Sequence, residues 1–134
     1  MKFLILLLSL AIFSFTVFSG PEEELAESID RGKVIYVENC ITCHMGNGDG
    51  APGTFPPLAK SDYLTKNPEK AIYAVKFGLT GKIQVNGTEY NSMMPPPGLD
   101  NNEIADVMNY IRNSWGNSSD KKIVTEKMVE EIEE

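Results

Sequence analysis

Cys40-Ile41-Thr42-Cys43-His44 holds both cysteines and the only histidine of a 134-residue chain. Any chemistry of thiol or imidazole in this protein therefore starts from five consecutive positions. Two cysteines and one histidine are one donor short of the four that a structural zinc site drawn from those residue types needs. A histidine-based catalytic triad would have to use His44. The length supports one compact domain, whose modest core would gain from an internal staple or a buried group. Lysine and arginine total 12 against 19 aspartates and glutamates, a formal charge of −7. That balance argues against a nucleic-acid partner and suits basic protein partners better.

The C-x-x-C-H spacing is the attachment signature of a covalent c-type haem. Two thiols one helical turn apart can add to the two vinyl groups on one edge of a porphyrin, while the adjacent histidine is carried beneath the ring to meet the iron. The expected cofactor is one haem c, attached through Cys40 and Cys43, with His44 as proximal ligand. A thioredoxin-like dithiol is the rival reading, and the surrounding sequence lacks the strand-helix-strand frame that such a pair needs.

With no second histidine, a ligand from the far side of the ring has to be a methionine. Met93 and Met94 stand in Asn91-Ser92-Met93-Met94-Pro95-Pro96-Pro97. Its prolines stiffen an extended segment and reduce the entropy lost when a weak thioether is held against a metal. Met94, next to the proline run, is the preferred ligand and Met93 the alternative. Met45 lies on the wrong part of the chain, and Met108 and Met128 fall at helical core spacing.

Further out, Lys2 precedes an uncharged run over residues 3–18, followed by Ser19, Gly20, Pro21 and three glutamates. A charged start, apolar middle and small-residue exit read as an export signal, with cleavage expected after Ser19. Left uncleaved, residues 3–20 reach the lower edge of bilayer-spanning length and would anchor the domain at a membrane. Both readings place the working domain in the periplasm or at the outer face of the cytoplasmic membrane. Without residues 1–19 the charge is −8, and roughly 42 of 115 residues are hydrophobic, a thin core for a domain that stands without help.

The expected domain is 20–119, with a charged helical extension over 120–134. Leu25, Ile29, Gly32 and Tyr36 draw one stripe along a helix over 22–39. Glycine in that stripe costs about 1 kcal/mol of helix stability, so another backbone or a ring should approach closely at Gly32. Residues 46–57, GNGDGAPGTFPP, read as an ordered loop with Phe55 and Leu58 to bury. Pro68 opens a helix to Phe77 with Ile72, Val75 and Leu79 on one side. Asn86-Gly87 between Ile83–Val85 and Thr88–Tyr90 predicts a small hairpin. Asp100 and Glu103 form a capping-box pattern before a helix that buries Ile104, Val107, Met108, Ile111 and Trp115. In the extension, Val124, Met128 and Ile132 are the expected docking residues.

The CITCH segment, GLTGKIQVNG, EYNSMMPP and EIADVMNYIRNSWGN together resemble class I cytochromes c. The likeness is to small exported bacterial monohaem domains found alone or attached to respiratory oxidases, nitrite reductases and dehydrogenases, and it spans residues 22–134. It implies an all-α domain of three to five helices wrapped around haem, the hairpin being a small β excursion, with His/Met ligation and electron carriage. It also implies that the first and last core helices cross with Gly32 and Tyr36 against Val107 and Tyr110. The proline carbonyl that accepts a hydrogen bond from the second ring nitrogen of His44 should come from Pro56-Pro57-Leu58, at Pro57; such a bond fixes the tautomer and tunes basicity. Met45, where a small or polar residue is usual, and the long extension depart from the simplest members.

Methionine ligation raises the reduction potential relative to a second nitrogen donor. Closing both axial positions keeps substrates off the metal, so the expected role is one-electron carriage and not catalysis. Expected partners are redox proteins such as a membrane oxidase, a nitrite reductase or a dehydrogenase. At least one should offer a basic docking face, which speeds encounter through a small, weak interface. The alternatives are a relay or accessory subunit of a membrane oxidase or reductase complex, and a small peroxidase-like or gas-binding haem protein, which would need an open distal side.

Overall fold

A computed structural model describes residues 20–117 and 122–134. The expected export segment, and the residues where the charged extension was expected to begin, lie outside the described residues. Along the chain run α1 (Pro21–Asn39), α2 (Ile41–His44), α3 (Asp62–Lys66), α4 (Pro68–Phe77), β1 (Ile83–Val85), β2 (Thr88–Tyr90), α5 (Asn101–Arg112) and α6 (Glu126–Glu130). Among the described residues no helix is long and apolar enough to cross a membrane.

Pro21 sits in the first turn of α1, where its missing N–H costs nothing, and Glu22, Glu23 and Glu24 complement the helix dipole there. Asp100 and Glu103 complete the expected capping box at α5: Glu103 N donates to Asp100 Oδ1 at 2.9 Å and Asp100 N to Glu103 Oε2 at 3.0 Å. Helices α1 and α5 form the main packing of the domain. They approach so closely that a Cβ on Gly32 would collide with the Asp106 carbonyl and lie 2.9 Å from Tyr110 Cβ. The glycine's partners are therefore Asp106 and Tyr110. Val107, expected at the crossing with Tyr110, is fully buried in the core one position along. Tyr36, Tyr110 and Trp115 then pack as a trio with ring centroids 5.0–5.4 Å apart.

Ile104, Val107, Met108 and Ile111 are all buried as their spacing requires. Two polar residues of α5 are buried with them, and both are satisfied. Asp106 accepts from Ser28 Oγ at 2.6 Å and from the Arg31 Nε and Nη2 at 2.6 and 2.9 Å. Asn109 Nδ2 donates to Ser28 Oγ at 2.8 Å and to Val124 O at 2.9 Å, while Val124 N donates to Asn109 Oδ1 at 2.7 Å. The side chain of Asn109 thus pairs with the Val124 backbone as a neighbouring strand would, and draws the C-terminal segment onto the α1/α5 face.

The hairpin has the expected register, Ile83 opposite Tyr90 and Val85 opposite Thr88. Asn86 and Gly87 both take positive φ, 53° and 79°, as a type I′ turn demands. Asp62 and Asn86 exchange hydrogen bonds of 2.7 and 2.9 Å, tying the turn to α3, an element too short to show a period in sequence.

The extension corrects the expectation of a helix over 120–134. Among its described residues only α6 is helical, capped by Thr125, whose Oγ1 accepts from Met128 N at 3.3 Å. Residues 122–125 carry no helix, so the four-residue spacing from Val124 does not continue and helical phase restarts at Thr125. Val129 is buried, while Met128 is exposed. Lys76 Nζ from α4 donates to the carbonyls of Val129 at 2.7 Å and Ile132 at 2.8 Å, placing a cation at the negative end of α6. Lys76→Met keeps the stem and removes these bonds together with the longer one to Glu130 O at 3.4 Å. Amide exchange over residues 126–132 should then rise about tenfold, the equivalent of about 1.4 kcal/mol for charge-assisted bonds, with α5 unchanged. An equal rise in both would mean that the extension opens only together with the core.

Candidate haem site

Two thiols and the imidazole are delivered by one turn of helix. Cys40 N donates to Tyr36 O at 2.9 Å and closes α1; His44 N then donates to Cys40 O at 3.0 Å within α2. Met45 ends the turn at φ 63°, and its carbonyl accepts from Tyr36 Oη at 2.7 Å. Burial pushes the Tyr36 phenol above its ordinary range, so the hydroxyl stays protonated as that bond requires. Burial also pushes the Cys40 thiol up to about 11, with Cys43 adding to it. That is the opposite of the lowered value a dithiol exchange site depends on.

The glycine-rich loop is ordered by its own backbone. Leu58 N and Ala59 N both donate to Gly48 O, at 2.7 and 2.9 Å, and Ala51 N donates to Phe55 O at 2.9 Å. It delivers the Pro56 carbonyl to His44 Nδ1 at 3.0 Å. The expected acceptor, Pro57, lines the same cavity without making this bond. Successive carbonyls of an extended segment point opposite ways, so only one of two adjacent prolines can face the ring. A carbonyl can only accept; Nδ1 therefore carries the proton and Nε2 keeps its lone pair. His44 is buried, and that burial holds the imidazole below its ordinary pKa despite the opposing pull of the Pro56 carbonyl. It is a neutral nitrogen donor.

The methionine segment is anchored to the end of α4. Leu79 N donates to Met94 O and Met94 N to Leu79 O, both at 2.8 Å. Gly78 makes the approach feasible: with φ 84°, a Cβ there would stand 2.7 Å from Met94 O and 2.9 Å from Pro96 Cδ. Burial alternates along the segment, with Ser92 and Met94 half-buried and Met93 70 % exposed. Met94 borders a cavity, partly open to solvent, together with Cys40, His44, Pro56, Leu64 and Val75. Cys43 and Met93 border a neighbouring cavity, which His44 and Met94 share. Two thiols on one side, a neutral imidazole, a thioether brought in by a separate segment and an otherwise apolar wall are the donor set and lining that haem c requires. The residues fit the group.

The family model for cytochrome c matches residues 29–115. The chain belongs to the cytochrome c family. This cytochrome c carries one covalently bound haem c, as expected from Cys40-Ile41-Thr42-Cys43-His44, and its helical fold with a small hairpin is the haem-wrapping fold of that family. It is 38 % identical over 116 residues to cytochrome c-552 of Thermus thermophilus, covering 83 % of this chain and 75 % of that protein. It is 32 % identical to cytochrome c6 of Porphyra purpurea, covering 74 % and 83 %. The cytochrome c subunit of a quinone alcohol dehydrogenase from Gluconobacter oxydans is 36 % identical over 67 % of this chain, which spans 19 % of that subunit. Leu64 and Tyr63, which also line the cavity of this cytochrome c, had no sequence signal, since five residues of α3 hold too little pattern.

Proposed function

We propose that this cytochrome c is a one-electron carrier between respiratory redox proteins, with haem attached at Cys40 and Cys43 and iron held between His44 and Met94. The observation that carries this reading is the sharing of one apolar cavity by His44 and Met94, whose segments are fixed by separate hydrogen bonds. Bound haem supplies a ferrous/ferric couple. The Pro56 carbonyl keeps Nδ1 of His44 protonated and so directs Nε2 to the metal. The Met94 thioether favours the ferrous state, and the apolar wall excludes water, which raises the potential further. With His44 and Met94 both holding the metal, no position on it would be left for a substrate, and the protein would carry electrons without bond chemistry.

Residues 1–19 support export, to the periplasm or the outer face of the cytoplasmic membrane. The charge of −7 favours a partner with a basic docking face, acting on encounter rate more than on affinity. The likeness to a dehydrogenase's cytochrome c subunit supports a second reading, in which the same haem is an internal relay of a membrane complex.

Carbon monoxide tests the closed site. The reduced holoprotein should fail to bind it over seconds at neutral pH. Rapid stoichiometric binding would contradict the carrier and favour a gas-binding or peroxidase-like haem protein.

A further inference from the structure

We propose that Ser92 is a positioning residue for the distal ligand, latching the Met94 segment to the loop that orients His44. Ser92 Oγ donates to Thr54 O at 2.6 Å, a bond between two loops whose Phe55 and Ser92 line one cavity with His44 and Met94. Thr54 stands two residues before Pro56, whose carbonyl accepts from His44 Nδ1. Ser92 stands two residues before Met94. The two proposed ligand side chains are therefore joined by a connected path that runs from His44 to Pro56, back to Thr54, across the hydrogen bond to Ser92 and on to Met94. This inference rests on the ligation by His44 and Met94 proposed above.

The latch is built to hold position. On its acceptor side, Thr54 N and Phe55 N both donate to Ala51 O, at 3.0 and 2.8 Å, so the carbonyl that Ser92 meets belongs to a closed turn. On its donor side the chain is extended, and residues two apart share a face. Tyr90 is buried at the end of β2, Ser92 makes the latch, and Met94 is paired with Leu79. The segment is thus pinned at alternate residues, with Met93 between the last two pins turned outward. Among the described residues, Ser92 to Thr54 is the hydrogen bond that holds the chain between the hairpin and the Leu79 pairing, and without it the thioether can swing away from the ring more readily.

Imidazole added to the oxidised holoprotein competes with Met94 for the metal, so its affinity reports how often the thioether lets go. Ser92→Ala should bind imidazole about fivefold more tightly, the equilibrium equivalent of one net hydrogen bond. Ser92→Thr, which keeps the hydroxyl, should stay near the unmodified protein. Thr65→Ala is the control: it removes a comparable exposed bond, Thr65 Oγ1 to Asp62 O at 3.1 Å, in a residue that does not line the cavity, and should leave the affinity unchanged. Equal affinity in Ser92→Ala and the unmodified protein, or equal tightening in Thr65→Ala, would overturn the proposal. Met94→Leu is measured alongside. If it binds imidazole no more tightly than the unmodified protein, the ligation reading fails; if it binds tightly while Ser92→Ala does not, only the latch fails.

Discussion

Gly32→Ala should destabilise the holoprotein by about 2 kcal/mol or more, even though alanine is the better helix former by about 1 kcal/mol. The added methyl would meet the Asp106 carbonyl, with the carbonyl carbon at 2.5 Å and Tyr110 Cβ at 2.9 Å. Neither neighbour is the free end of a flexible side chain. Relief requires α1 and α5 to separate, which disturbs the aromatic trio of Tyr36, Tyr110 and Trp115 and the Ser28, Asp106 and Asn109 network together. For a domain of this size such a loss lowers Tm by roughly 10 °C. A Gly32→Ala protein as stable as the unmodified one, or more so, would mean that helix propensity governs and that the close crossing does not.

Met94→Leu should lower the reduction potential by on the order of 120 mV, a hundredfold change in the ferrous-to-ferric balance at about 59 mV per factor of ten for one electron. Leucine preserves the bulk and the Leu79 pairing, which is made by backbone atoms, so the fold should survive with an open distal side. Rapid carbon monoxide binding should appear with the change. Met93→Leu should shift neither property, because Met93 is largely exposed. A potential unchanged in Met94→Leu and lowered in Met93→Leu would exchange the two assignments.

Features written within a few residues were legible in the sequence. The capping box of Asp100 and Glu103, the Asn86-Gly87 turn and the proline start of α4 each satisfy backbone requirements locally, and all three hold. The close approach at Gly32 was legible as a cost that needed a reason. What escaped depends on register or on partners distant along the chain. Choosing Pro57 over Pro56 is a one-residue slip, and in an extended segment a one-residue slip turns the carbonyl to the other side. Choosing Met128 over Val129 assumed unbroken helical phase through residues that are not helical. Asp106 and Asn109 were invisible to a search for apolar stripes, since their burial is stabilised by Ser28, Arg31 and the Val124 backbone, up to 81 residues away. Ser92 carried no signal, because its partner is the carbonyl of Thr54, 38 residues earlier.

The most direct test of a haem closed by His44 and Met94 is the weak methionine-to-iron absorption band at the near-infrared edge of the oxidised protein's spectrum. The band should be present in the unmodified protein, retained in Met93→Leu and absent from Met94→Leu. Its absence from the unmodified protein, or its survival in Met94→Leu, would contradict the account.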